Sequence, residues 1–326
     1  MTAATGVGSM PGEDIDEAMR IVVGELPDFI HLPELPARGA GATMTGRGVA
    51  VVAELGFDLQ PAGWRLTGAV GADQRRARSL LERDLDALEI HALGYAGQLK
   101  LQVIGPWTLA ATVERPRGDR LLADFGARRE LAQALAEGVA THVAAVAKRV
   151  PAASIVLQFD EPAMPAVLAG QVPTASGFHR HRSVDLPVAD EALRWVLDAA
   201  REAGATTIVH CCAAEPPIDL FRGAGADGVS IDLTLLSAAA LDSLGDVLDS
   251  GGTACLGVVG ATEKGTPPSD KAAIEAVLRT CDMLGFDPAE VADRLVLTPT
   301  CGLAGASPSY AREVLKVVRQ AAAGLA

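Results

Sequence analysis

The chain has 326 residues, 49% of them hydrophobic and 21% charged, a composition that buries a large core and excludes disordered and collagen-like chains. Its formal net charge of −13 opposes any role that depends on neutralising nucleic-acid phosphates or anionic lipid. Small molecules or proteins are the expected partners, with no nucleic acid and no membrane.

The N-terminus, Met1-Thr2-Ala3-Ala4-Thr5-Gly6, lacks the basic start and long apolar run of a signal peptide, and no later segment is long and apolar enough for a membrane span. A cytoplasmic location is expected. Five cysteines, an odd number, argue for thiols or metal ligands over a disulfide framework.

In chain order, eight short apolar runs read as buried parallel strands: Thr5–Ser9, Phe29–Pro33, Leu99–Ile104, Ser154–Asp160, Thr206–His210, Gly228–Asp232, Thr253–Val259 and Leu295–Thr298. Between them, Asp14–Leu26, Ala72–Leu93, Asp119–Val150, Val188–Ala203, Ser237–Ser250, Ser269–Leu284 and Ser307–Ala323 place apolar residues at helical spacing. Thr43–Thr67 departs from this alternation and predicts a small hairpin around Pro61-Ala62-Gly63, inserted after the second strand. Gln171–Leu186, rich in His and Arg and without period, is expected to be a loop over the site. Eight strands with crossover helices close most naturally as a single (β/α)8 TIM barrel spanning residues 1–326, although a doubly wound open sheet uses the same alternation.

The strongest local signal is Ile208-Val209-His210-Cys211-Cys212. Side chains on a strand alternate between faces, so His210 and Cys212 point one way and Cys211 the other. Zinc takes His nitrogen and Cys sulfur and needs about four ligands. Cys301, at the end of the apolar run Leu295–Thr298 and just before Gly302, is the natural third. Asp232, ending Gly228–Asp232, is the candidate fourth. Asp160 and Glu161 end another strand just before Pro162, where Asp160 could accept hydrogen bonds from a substrate ammonium; an acidic helix start is the alternative. Gly6-Val7-Gly8-Ser9 offers backbone N–H groups to an anion such as a carboxylate, or forms a plain tight turn. Glu34 ends the second strand, as a site residue or a solvated loop acid. Cys255 and Cys281 read as buried small hydrophobes, and His179-Arg180-His181-Arg182 as a solvated basic loop.

Together these segments resemble the catalytic barrel of the cobalamin-independent methionine synthase family. Val7-Gly8-Ser9 is similar to the family's Ile-Gly-Ser segment, Gln158-Phe159-Asp160-Glu161-Pro162-Ala163 to its Gln-Ile-Asp-Glu-Pro-Ala, His210-Cys211-Cys212 to its His-Met-Cys, and Cys301-Gly302-Leu303 to its Cys-Gly-Leu, all in family order. The resemblance implies that His210, Cys212 and Cys301 bind zinc, that Asp160 and Glu34 contact the amino group of homocysteine, and that Val7, Gly8 and Ser9 lie near its carboxylate. The family's fourth ligand is a glutamate, where this chain has the shorter Asp232. Glu263 and Lys264 stand where the family has its proton-donating His, and are the candidate replacements.

The resemblance also implies a methyl donor, either methyltetrahydrofolate or a methylated corrinoid protein. The full-length family enzyme uses an extra N-terminal half to hold polyglutamylated folate, for which 326 residues leave no room. Its folate-stacking Trp falls on Thr112 and its folate-contacting Glu on Ala166. Rival expectations are a related zinc barrel that activates coenzyme M or opens an epoxide, and a zinc-dependent binding module without turnover.

Overall fold

The computed structural model describes residues 1–263 and 269–325. Among the described residues ten strands occur in chain order: β1 (Ala3–Ala4), β2 (Phe29–His31), β3 (Gly56–Gln60), β4 (Gly63–Thr67), β5 (Gln98–Ile104), β6 (Ser154–Asp160), β7 (Thr206–Cys211), β8 (Gly228–Asp232), β9 (Thr253–Val259) and β10 (Leu295–Pro299). Eight of them form one parallel sheet in the order β1-β10-β9-β8-β7-β6-β5-β2. The seam between the first and last members closes through Ser9 and Glu34, which form a parallel bridge. There Met10 N donates to Glu34 O at 2.8 Å and Glu34 N to Gly8 O at 3.2 Å. The result is a (β/α)8 barrel with helices outside, as the alternation predicts.

The first strand is the main departure. Regular pairing covers only Ala3–Ala4, although Thr5 N still donates to Leu297 O at 3.0 Å. Beyond it the backbone presses onto the imidazole of His31, and a Cβ on Gly6 would lie 2.3 Å from that ring. Only glycine permits this approach, and beyond it Gly8 and Ser9 pair with Glu34 instead of continuing alongside β10. The predicted hairpin exists as β3 and β4, paired antiparallel with Pro61-Ala62 as a two-residue loop. The helix expected from Asp119 instead starts at Phe125, because Asp124 caps it by accepting from Ala127 N. Two short helices, Pro106–Thr112 and Ile218–Gly223, have too few turns to show a period.

Strand alternation builds the interior in layers. Phe29, Val156, Ile208, Cys255 and Val296 form a small apolar cluster of their own, the floor of the barrel. Further along the strands the inward positions become polar: His31, Lys100, Gln158, His210 and Thr298, all buried. The opposite faces, including Leu157, Phe159, Val209 and Cys211, join the large core under the helices. Cys255 and Cys281 are both buried, as expected for small hydrophobes.

Candidate metal and amino-acid site

At the C-terminal ends of the strands His210, Cys212 and Cys301 meet, with one ligand atom from each lying within 4.8 Å of the others. The two sulfurs are 3.0 Å apart. Alternation along β7 brings His210 and Cys212 to the mouth and turns Cys211 into the outer core, where burial pushes its thiol up to about 12. His210 Nδ1 is fixed by Ser230 Oγ at 2.9 Å, while its Nε2 is buried with no partner. A buried ring nitrogen without a partner is costly. Sharing one hydrogen bond, the two thiols cannot both ionise freely: Cys301 is pushed below its usual range by Cys212, with His210 adding and burial opposing, and Cys212 is pushed above its own by the same bond and by burial. One nitrogen and two sulfurs, one already inclined to ionise, suit zinc or another thiophilic ion.

A cavity of about 170 Å³ opens beside this triplet, lined by Val7, Gly8, Ser9, Glu34, Met44, Asp160, Pro162, His210, Cys212, Cys301 and Gly302. Eight residues singled out from the sequence therefore share one wall. Gly302 abuts Ser9, whose Oγ would sit 2.1 Å from a Cβ there, so glycine is what lets the last strand's turn touch the first. Asp160 is buried and its Oδ1 accepts from Gln158 Nε2 at 2.7 Å. Burial raises its pKa, against His210, Gln158 and Lys100. Glu34 is held by Arg47 Nε at 3.0 Å. Burial lifts it to about 7, with Arg47 opposing and Asp160 adding.

The adjacent acids divide their roles. Glu161 turns away from the cavity and accepts from Trp107 N at 2.9 Å, Thr108 N at 2.8 Å and Thr108 Oγ1 at 2.7 Å. It caps the helix Pro106–Thr112 from outside, not a helix started by its own Asp-Glu-Pro segment: the following helix, Met164–Leu168, has no side-chain cap.

Other expected residues lie elsewhere. Asp232 is not part of the triplet: its Oδ1 accepts from Thr234 N at 2.9 Å and Thr234 Oγ1 at 2.6 Å, capping the short turn Leu233–Leu235. One carboxylate oxygen is thereby committed to that turn. Glu263 is exposed and accepts from Ser307 N at 3.4 Å, away from the cavity lining. Lys264 lies outside the described residues. Gln171–Leu186 contributes nothing to the lining; it folds against Asp119, which accepts from Ala175 N at 2.9 Å and pairs with His181 Nε2 at 3.0 Å. Sequence reading missed Arg47 and Lys100, buried cations behind the two cavity carboxylates. A lysine inside an apolar strand was the available signal.

Residues 105–324 match the family model described as the cobalamin-independent synthase catalytic domain. The chain belongs to that family. Its members are enzymes, the catalytic domain being that of methionine synthase. The barrel of this chain is similar to that of a B12-independent methionine synthase from Shewanella sp. W3-18-1, solved in complex with selenomethionine, with 13% identity, a TM-score of 0.60, and 100% of this chain and 98% of that one covered. It also resembles the pneumococcal virulence factor StrH, with 12% identity, a TM-score of 0.53 and coverage of 98% and 83%. Both likenesses concern the fold. No curated protein sequence matches the chain. Among the described residues no helix is long and apolar enough to cross a membrane.

Proposed function

We propose that this protein transfers a methyl group to the thiol of homocysteine, giving methionine, with zinc held by His210, Cys212 and Cys301. The observation that carries the reading is that a thiophilic triplet and two buried carboxylates share one cavity of about 170 Å³. Bound zinc would lower the pKa of a thiol at its open position, making the sulfur nucleophilic at neutral pH. Asp160 and Glu34 accept from the ammonium of the amino acid, and Val7, Gly8 and Ser9 lie towards its carboxylate. Held at both charged ends, the thiol is aimed at the triplet. Asp160 and Glu34 also disfavour the coenzyme M alternative, whose sulfonate would face two acids instead of a cationic partner.

The donor is methyltetrahydrofolate or a methylated corrinoid protein docking at the barrel mouth, and the residues favour the second. Thr112 Oγ1 is spent on its own helix, donating to Thr108 O at 2.9 Å and Leu109 O at 3.1 Å, and offers no stacking plane. Exposed Glu263 supplies no buried acid for an amine leaving group. The test supplies zinc-loaded protein with homocysteine and compares methylcobalamin, free or protein-bound, against methyltetrahydrofolate triglutamate. Methionine formed from neither donor, with homocysteine bound, would leave a binding module. Turnover of coenzyme M in preference to homocysteine would replace the substrate.

A further inference from the structure

Lys100 is the most buried cation near the site, 1% exposed on the inward face of β5. Its Nζ donates to Val7 O at 2.7 Å and to Gln158 Oε1 at 2.8 Å. With its amide oriented to satisfy both neighbours, Gln102 donates to Leu32 O at 2.8 Å and accepts from Lys100 Nζ at 3.0 Å. All three ammonium donors thus have acceptors, the condition under which a buried charge is tolerated. Burial lowers this amine to about 8, with Asp160 and Glu34 among the charges that hold it up. Lys100 does not line the cavity.

What it does is fix an amide. Gln158 can present either its oxygen or its NH2 to a neighbour. Because only the oxygen can face an ammonium, the NH2 must face the other way, where it donates to Asp160 Oδ1 at 2.7 Å and Val7 O at 2.9 Å. Without Lys100, the Gln158 oxygen loses its partner and the amide is anchored from one end only, by its donations to Asp160 Oδ1 and Val7 O, so the Asp160 carboxylate is held less firmly in place. We infer that Lys100 is a positioning residue for the amino-acid substrate: acting through Gln158, it holds the Asp160 carboxylate where the substrate ammonium must be received. The inference rests on the amino-acid reading of the cavity and adds a residue and a route to it.

The experiment uses the full-length zinc-loaded protein and calorimetric binding of L-methionine and of methylthiobutanoate, which is methionine without its ammonium. Lys100→Met is expected to weaken methionine binding about tenfold, the size of one coupled polar network. Methylthiobutanoate affinity and zinc content should stay at wild-type values. In Asp160→Asn background the same substitution should cost little more, because the two act in series. Equal losses for both ligands, or additive losses in the double variant, would make Lys100 a purely structural residue and overturn the inference. Should Lys100→Met fail to fold, Gln158→Met cuts the same link without removing the charge and is read against the same criteria. Wild-type protein that binds no methionine overturns the amino-acid reading and this inference with it; methionine binding undisturbed by either variant overturns the inference alone.

Discussion

Arg47→Met strands one cavity carboxylate and leaves another paired, which makes its cost calculable. Arg47, buried on the helix Met44–Val51, donates from Nε to Glu34 and from Nη1 to Asp84. Asp84 also receives two bonds from Arg38, at 2.7 and 2.8 Å, so it keeps a bidentate partner in the variant. Glu34 keeps none. Removing one member of a buried pair costs about 3–5 kcal/mol, and with Asp84 rescued the low end applies, about 3 kcal/mol near pH 8. The penalty depends on pH. Glu34 is raised from 4.5 to about 7, so it takes up a proton on folding; its contribution to stability is full below the unfolded value and is lost as pH rises through about 7. Deleting Arg47 removes an opposing charge and moves that folded value higher still. Near pH 5.5 Glu34 is neutral in both proteins, so the difference between them shrinks. Urea denaturation of both proteins at the two pH values measures this. A penalty below about 1 kcal/mol, the range of exposed pairs, or one unchanged between the two pH values, would refute the assignment of Arg47 as the counter-charge of Glu34.

Cys212→Ser and Cys301→Ser should each abolish most zinc binding, whereas Cys211→Ser should leave it intact, since Cys211 packs under the helices; metal analysis of the purified variants decides, and depletion by Cys211→Ser alone would reverse the strand's facing. Asp160→Asn should weaken methionine binding by about 2–5 kcal/mol with zinc retained, and simultaneous zinc loss would place Asp160 in the metal site. Asp232→Ala should keep its zinc and lose only a cap, about 0.5–2 kcal/mol by denaturation; a zinc-free variant would return Asp232 to the ligand set. Methyltetrahydrofolate triglutamate should turn over about 10²–10⁴-fold more slowly than a methylcobalamin donor, the usual worth of general-acid assistance, and equal rates would show that an acid has been overlooked.

The sequence displays what repeats and what alternates. Ser154–Asp160, Gly228–Asp232 and Thr253–Val259 end where their apolar runs end, and alternation places His210 with Cys212 and against Cys211. What it hides is competition for a single side chain. Asp232 and Glu161 each end a strand facing chemistry by sequence, yet Asp232 is taken by the backbone N–H of the turn that follows and Glu161 by those of the distant helix Pro106–Thr112. Nothing local in the sequence decides whether a strand-end carboxylate reaches inward or caps the next helix. Lys100 is hidden for the converse reason, since its partner Gln158 lies 58 positions away, and Arg47 because it joins Glu34 and Asp84, 13 and 37 positions away, only when the helices Met44–Val51 and Ala72–His91 pack together.

The apolar cluster Phe29, Val156, Ile208, Cys255 and Val296 stoppers one end of the barrel, so among the described residues the chamber is approached from the other end, the mouth. Two reactants that must meet there cannot arrive from opposite sides. On the proposed function, an amino acid held against Asp160 and the triplet enters first, and the bulkier donor then closes the mouth behind it. Departure reverses the queue: the spent donor leaves before methionine can. Turnover by such a vessel is ordered by its plumbing, and methionine in excess should hold the door against homocysteine by occupying the same berth.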